Sequence, residues 1–174
     1  MKVQFNKVLT YELATFYDEG GLIAASFYEL AGQHDLSDEV NRFLSLMKES
    51  EEEESLEISA VISSYNLGSS SSIAAIEKSK ESYSPNFYGE VQHHLDHVAS
   101  NGTITYRELA ERSGRPKAHR AAARACAINN LPFWRPCHRI IRSDGSLGGY
   151  LYGLDIKRAL IDHEAAVIST MSSL

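Results

Sequence analysis

The chain has 174 residues, of which 43% are hydrophobic, 9% aromatic and 23% charged, values of a globular protein with enough length to bury a core. No apolar run approaches the roughly 18 residues of a membrane span, the opening MKVQFNKVLTYEL has no apolar signal-peptide core, and two cysteines, Cys126 and Cys137, exclude a disulfide scaffold. A net charge of −6 argues against a uniformly basic nucleic-acid binder, and the reading is an intracellular protein with both thiols free.

Residues 1–80 carry few sharp signals. After a Gly20–Gly21 turn, LIAASFYEL has strand-like apolar character. In DEVNRFLSLMKES, Val40, Phe43, Leu44 and Met47 fall on one face of a helix. Glu51–Glu54 read as a solvated face or loop, LEISAVI at 56–62 as a strand, and Ser69–Ser72 as a loop or linker.

From Ser84 the signals sharpen. SPNFYGEVQHHLDHVAS predicts a helix with Pro85 in its first turn and Phe87, Val91, Leu95 and Val98 in a stripe at helical spacing. A turn at Asn101-Gly102-Thr103 follows. Thr105 and Glu108 form a T-x-x-E capping box at the start of a short helix, which Gly114 ends. Pro116 opens a second helix, PKAHRAAARACAI. Two helices joined by a tight Gly-containing turn predict a helix-turn-helix. Lys117, Arg120 and Arg124 stand among alanines, which let a backbone approach DNA while the basic side chains reach phosphates. Charge is segregated accordingly. Residues 103–160 hold 11 Lys and Arg against 4 Asp and Glu, a local excess of about +7, and the rest of the chain sums to about −13. A local basic face suffices, because distant charge is screened.

RPCHRII, at 135–141, raises the question of chemistry. A thiol attacks as thiolate, so its pKa of about 8.5 must usually be lowered; Arg135, His138 and Arg139 are potential sources of positive charge. Residue type alone leaves Cys137 open between a small buried hydrophobe and a nucleophile. Cys-His in direct succession is poor metal-ligand spacing, and the chain has no C-x-x-C. His93 and His97 stand i, i+4 in HHLDH, an exposed histidine face rather than a metal site.

The stretch TYRELAERSGRPKAHRAAARACAINNLPFWRPCHRIIRSDGSLGGYLYGLDIKRALIDHE resembles the C-terminal domain of the O6-alkylguanine-DNA alkyltransferase family, with the likeness running from about Phe87 to Glu164. Its carriers are Pro136-Cys137-His138-Arg139, the preceding Asn129 and the Gly-rich GSLGGY. The resemblance implies an N-terminal α/β support domain (1–82), with a small ribonuclease H-like sheet and helices. It implies a mostly α domain (83–174) with a helix-turn-helix. It implies a single-turnover monomer that binds double-stranded DNA carrying O6-alkylguanine (O4-alkylthymine is a further substrate). The protein would use neither cofactor nor metal, and would work in the cytoplasm at the nucleoid, or in the nucleus of a eukaryote. Base flipping gives access to the stacked base.

By the same resemblance Cys137 is the alkyl acceptor, His138 its base through water, and Glu164 the group that orients His138. Tyr106 rotates the nucleotide and hydrogen-bonds the flipped base. Arg120 fills the vacated place in the duplex; Lys117, Arg124 and Arg139 are read as DNA-binding from their basic charge. Tyr150, Leu151, Ile140 and Pro132 form the base pocket, with the Cys137 and Ile140 carbonyls selecting guanine. Asn129 braces the cysteine loop. Four positions depart from the family pattern: Asn130 where proline is usual, Arg135 where an aliphatic residue precedes the proline, Ala123-Arg124 for two glycines, and Leu151 where serine is common. Arg124 and Arg135 are expected at phosphates or in solvent, and Cys126 is expected to be structural. The competing readings are a non-catalytic lesion-binding or regulatory DNA-binding module, against which Cys137, His138 and Glu164 weigh, and a cysteine hydrolase, for which no oxyanion signature is present.

Overall fold

The computed structural model describes residues 1–27, 42, 45–68, 78, 83–99 and 102–171. Three antiparallel strands, β1 (Lys2–Val8), β2 (Tyr11–Asp18) and β3 (Gly21–Phe27), form a meander, and the two-residue β4 (Glu51–Glu52) pairs parallel with β1, giving the order β3-β2-β1-β4. The sheet is covered on both faces. Val3, Ala14, Phe16 and Ala24 pack on one side, with Leu46 and Met47 against them; Leu13, Ala25 and Phe27 pack on the other. That explains why β2 reads as a nearly continuous apolar run rather than an alternating one.

Helix α1 (Leu56–Asn66) lies under the second face. LEISAVI, expected as a strand, is therefore helical. Ser55 caps it by accepting from Ile58 N–H, and Ile58, Ile62 and Tyr65 recur at i, i+4, i+7 and are buried. That period outweighs the β-propensity of isoleucine and valine, each buried isoleucine contributing about 1.5–3 kcal/mol. Asn66, at the helix end, accepts from Leu9 N–H and donates to Lys7 O, tying α1 to the β1–β2 turn. The acidic run is also not simply loop: Glu51–Glu52 extend the sheet edge, where exposed charge blocks further pairing. Val40, Phe43, Leu44 and the run at 69–72 lie outside the described residues.

The rest is mainly helical: α2 (Phe87–Asp96), α3 (Tyr106–Arg112), α4 (His119–Ala127) and α5 (Leu154–Met171), with β5 (Ile104–Thr105) parallel to β6 (Ile140–Ile141). Val91, Leu95, Leu109, Ala122, Ala125, Cys137 and Ile140 form one core. Asn86, not Pro85, begins α2: its side chain accepts from Tyr88 N–H, and Pro85 precedes the cap. The Thr105–Glu108 capping box is present in both directions. Gly114, at φ 74°, makes the left-handed turn after α3. The next helix starts later than expected. Pro116 and Lys117 lie in the turn and α4 begins at His119, so Lys117 sits just before the helix.

The two halves share a core. Leu131, Phe133, Trp134, Tyr152, Ile156 and Leu160 join Leu13, Phe27, Ile58 and Tyr65 in one cluster. Trp134 Nε1 donates to Thr15 Oγ1 at 3.0 Å. Asn130 donates from its side chain to Ile23 O, and its carbonyl accepts from Ala25 N–H, so the segment after α4 lies along the edge strand β3. Among the described residues no helix is long and apolar enough to cross a membrane.

Candidate active site

Cys137 opens a single 3₁₀ turn, Cys137–Arg139, that connects the loop after α4 to β6. Pro136 precedes it and lends its carbonyl to Arg139 N–H, which tightens the turn. The thiol is 5% exposed. Asn129, at the end of α4, donates through Nδ2 to Cys137 Sγ at 3.0 Å and to Arg135 O at 2.9 Å, and its Oδ1 accepts from Leu131 N–H. Burial raises the Cys137 pKa; the Asn129 N–H and the charges of Lys157 and Arg135 act against it.

The two residues after Cys137 enter a buried polar cluster. His138 Nε2 is 3.1 Å from Glu164 Oε1. Arg139 clamps the same carboxylate with Nε at 2.8 Å from Oε2 and Nη2 at 2.9 Å from Oε1, and gives Nη1 to Val98 O. Tyr65 O–H donates to Glu164 Oε1 at 3.3 Å. Burial alone would raise the Glu164 pKa, but His138 and the Arg139 guanidinium hold it down at about 2. Burial lowers the His138 pKa, against the pull of Glu164, and keeps the ring neutral at pH 7. With Nε2–H given to Glu164, the tautomer leaves a lone pair on Nδ1, which has no protein partner among the described residues.

On the other side the thiol faces a cavity of about 320 Å³, lined by Tyr106, Ala123, Cys126, Pro132, Tyr150 and Leu151, among others. Burial raises the pKa of Tyr106 and, more strongly, of Tyr150, so both phenols keep their protons. Gly148, at φ 68°, passes so close to Tyr106 that a Cβ would lie 3.2 Å from the ring. Lys157, fully buried on α5, donates to Ile140 O at 2.6 Å and Gly149 O at 3.3 Å and stands 5.8 Å from the Tyr106 ring centroid.

Residues 86–166 match the family described as 6-O-methylguanine DNA methyltransferase, DNA binding domain. Three relatives agree with this. The bifunctional transcriptional activator/DNA repair enzyme Ada of Escherichia coli is 43% identical over 79 residues, covering 45% of this chain and 22% of its own. A methylated-DNA–protein-cysteine methyltransferase of Saccharomyces cerevisiae is 35% identical over 92 residues (53% and 49%), and one of Methanothermobacter thermautotrophicus 45% over 73 (40% of each). The match to this family thus covers residues 86–166. The chain spans at most about half the length of these relatives. The likeness in structure is longer. The crystal structure of Mycobacterium tuberculosis OGT in complex with DNA superposes with a TM-score of 0.73 over 96% of this chain and 94% of that one, at 20% identity. The O6-methylguanine-DNA methyltransferase of Pyrococcus kodakaraensis gives 0.65 over 94% and 98%, at 23% identity. The described residues thus share the fold of these alkyltransferases.

Within residues 86–166, the structure brings Cys137, Asn129, Tyr106, Tyr150, Leu151 and Pro132 to one cavity, and it pairs the buried His138 with Glu164. Lys117, Arg120 and Arg124 are exposed on or beside α4. Three expectations are corrected. Arg139, expected at DNA, is buried because it neutralises Glu164. Arg135, expected at phosphate or in solvent, is fully buried against Asp96. The Ile140 side chain belongs to the core rather than the cavity wall, and its carbonyl already accepts from Lys157. Sequence reasoning missed Tyr65, Asp96 and Lys157. Gln92 and Asp96, at i, i+4 beside the Val91–Leu95 stripe, signalled a buried polar pair; for Lys157 only its place after Ile156, with Leu160 and Glu164 on the inner face of α5, hinted at burial.

Proposed function

We propose that the protein repairs DNA by moving the alkyl group of O6-alkylguanine irreversibly onto Cys137. The observation that carries this reading is the thiol's position: Cys137 Sγ accepts from Asn129 at the wall of a cavity, and the next residue in the chain, His138, is paired with Glu164. The Sγ–carbon bond forms as the carbon–O6 bond breaks. The thiol proton passes through an intervening water to His138 Nδ1, kept basic and oriented by Glu164. A phenolic proton from Tyr106 or Tyr150 prevents guanine from leaving as an anion. Electrons and protons balance without a co-reactant.

The α3–turn–α4 unit acts as a helix-turn-helix that presents Arg120, Lys117 and Arg124 to double-stranded DNA, Arg120 filling the gap left by the flipped base. Residues 1–82, with a sheet read as ribonuclease H-like, support residues 83–174. The protein acts as a monomer wherever the cell keeps its DNA, on O6-methylguanine, larger O6-alkyl groups and O4-alkylthymine.

Peptide mass mapping after incubation with duplex DNA containing O6-methylguanine tests this. One methyl group per protein, confined to the Cys137 peptide and absent in Cys137→Ala, is the expected result. Bound but unmodified protein overturns transfer in favour of a lesion-binding module.

A further inference from the structure

The methyltransferase site does not explain Arg135. A fully buried arginine demands compensation, and here compensation is elaborate. Arg135 Nε lies 3.2 Å from Asp96 Oδ1, and Nη1 lies 3.1 Å from Asn130 Oδ1. Its guanidinium carbon sits 4.6 Å from the centroid of the Tyr83 ring, whose O–H donates to Asp96 Oδ2 at 2.8 Å. Lys78 Nζ approaches Asp96 at 3.8 Å. The cluster therefore joins α2, the segment before it and the loop after α4.

This cluster touches the amide that serves the thiol. Arg135 Nη1 is 3.5 Å from Asn129 Oδ1, at the limit of a hydrogen bond, so the contact is mainly one of charge with dipole. Leu131 N–H points at the same oxygen. With two donors on Oδ1, a flipped amide would set NH₂ against N–H groups; the observed orientation leaves Nδ2 for Cys137 Sγ and Arg135 O. We infer that Arg135 is a positioning residue for Cys137, fixing the Asn129 carboxamide with its N–H on sulfur and adding buried positive charge that favours the thiolate, with Asp96 as the counter-charge that sets its strength. The inference rests on Cys137 as the acceptor. The other titratable or charged groups facing the thiol are Lys157 from α5, Tyr106 from α3, Cys126 from α4, Tyr150 from the Gly-rich loop, and His138 beside it.

The assignment has a signature that packing lacks: neutralising the two partners moves the thiol in opposite directions. Iodoacetamide labelling of the Cys137 peptide against pH, read by mass spectrometry and therefore separate from Cys126, gives the thiolate midpoint without DNA. Arg135→Leu shifts the midpoint up by about one pH unit, a roughly tenfold loss of labelling below it. Asp96→Asn, which removes the carboxylate charge beside Arg135 and Lys78, shifts it down. Arg135→Lys restores the midpoint towards the parent even where melting temperature falls, because it keeps the charge and loses the fork. Midpoints that stay put or all move one way, whatever the melting temperatures, overturn the proposal. A parent that shows these displacements yet transfers no methyl group from DNA refutes the repair reading and leaves the electrostatic link standing.

Discussion

Tyr65 and Glu164, 99 residues apart, share a hydrogen bond of 3.3 Å inside the protein. Through it, a residue of the N-terminal half completes the carboxylate that holds His138. Tyr65→Phe removes one neutral donor while Arg139 and His138 remain, so a loss of about 1–1.5 kcal/mol is expected in urea unfolding. The substitution should leave the Cys137 turn intact and lower the transfer rate only modestly. A rate loss above a hundredfold would make Tyr65 a direct participant instead.

Acid should destabilise the protein in two stages. His138 has a folded pKa below its usual 6.5, and Glu164 lies at about 2 against 4.5 for a free carboxyl. Both folded values are depressed, so in acid the unfolded chain binds more protons than the folded one. Stability is complete above about pH 6.5, declines first as unfolded His138 gains the proton its buried ring refuses, then further below about pH 4.5 as free Glu164 protonates. The Glu164 part is roughly 3 kcal/mol, gone near pH 2. Calorimetric melting temperatures between pH 8 and pH 4 check this; a melting temperature constant from pH 7 to pH 5 contradicts the His138 part.

The cysteine turn was legible because its signals are local: Pro136-Cys137-His138, the capping box and the Asn129 that follows α4 are adjacent or at fixed offsets. The buried charges were not. Arg135 and Arg139 read as surface residues because their partners, Asp96 and Glu164, lie 39 and 25 residues away, and sequence does not show where distant elements meet. The helix at 56–66 failed for another reason. Its isoleucines and valine favour strands intrinsically, whereas the spacing of Ile58, Ile62 and Tyr65 was the better guide.

Trp134 couples the cysteine loop to the sheet through the bond from its indole N–H to Thr15 Oγ1. Thr15→Val preserves shape but leaves that N–H buried without a partner. The expected cost is about 1–3 kcal/mol. Trp134 is the only tryptophan in the chain, so its fluorescence follows this junction during unfolding. An unchanged urea midpoint would show that the hydrogen bond does not hold the halves together.

His138→Gln keeps a polar group beside Glu164 but supplies no base at pH 7. The transfer rate should fall by about 10²–10⁴, with DNA affinity unchanged because the ring is fully buried rather than on the basic face. Single-turnover kinetics and equilibrium binding, measured side by side, separate the two. Equal losses in both would place His138 in DNA binding.

The arginines should divide by burial. Arg120→Ala and Arg124→Ala remove exposed charge, so each should flatten the plot of log affinity against log salt by about 0.9 for every phosphate it no longer neutralises, with little effect on stability. Lys117→Ala should behave alike, since a turn position suffices to reach a phosphate. Arg139→Met should do the reverse. It strands Glu164 without its cation, which costs about 3–5 kcal/mol, and should leave the salt slope of whatever protein remains folded unchanged. Salt titrations of DNA binding, paired with urea midpoints for the same four variants, distinguish these groups. A stable Arg139→Met protein with a reduced slope would return that residue to the DNA surface.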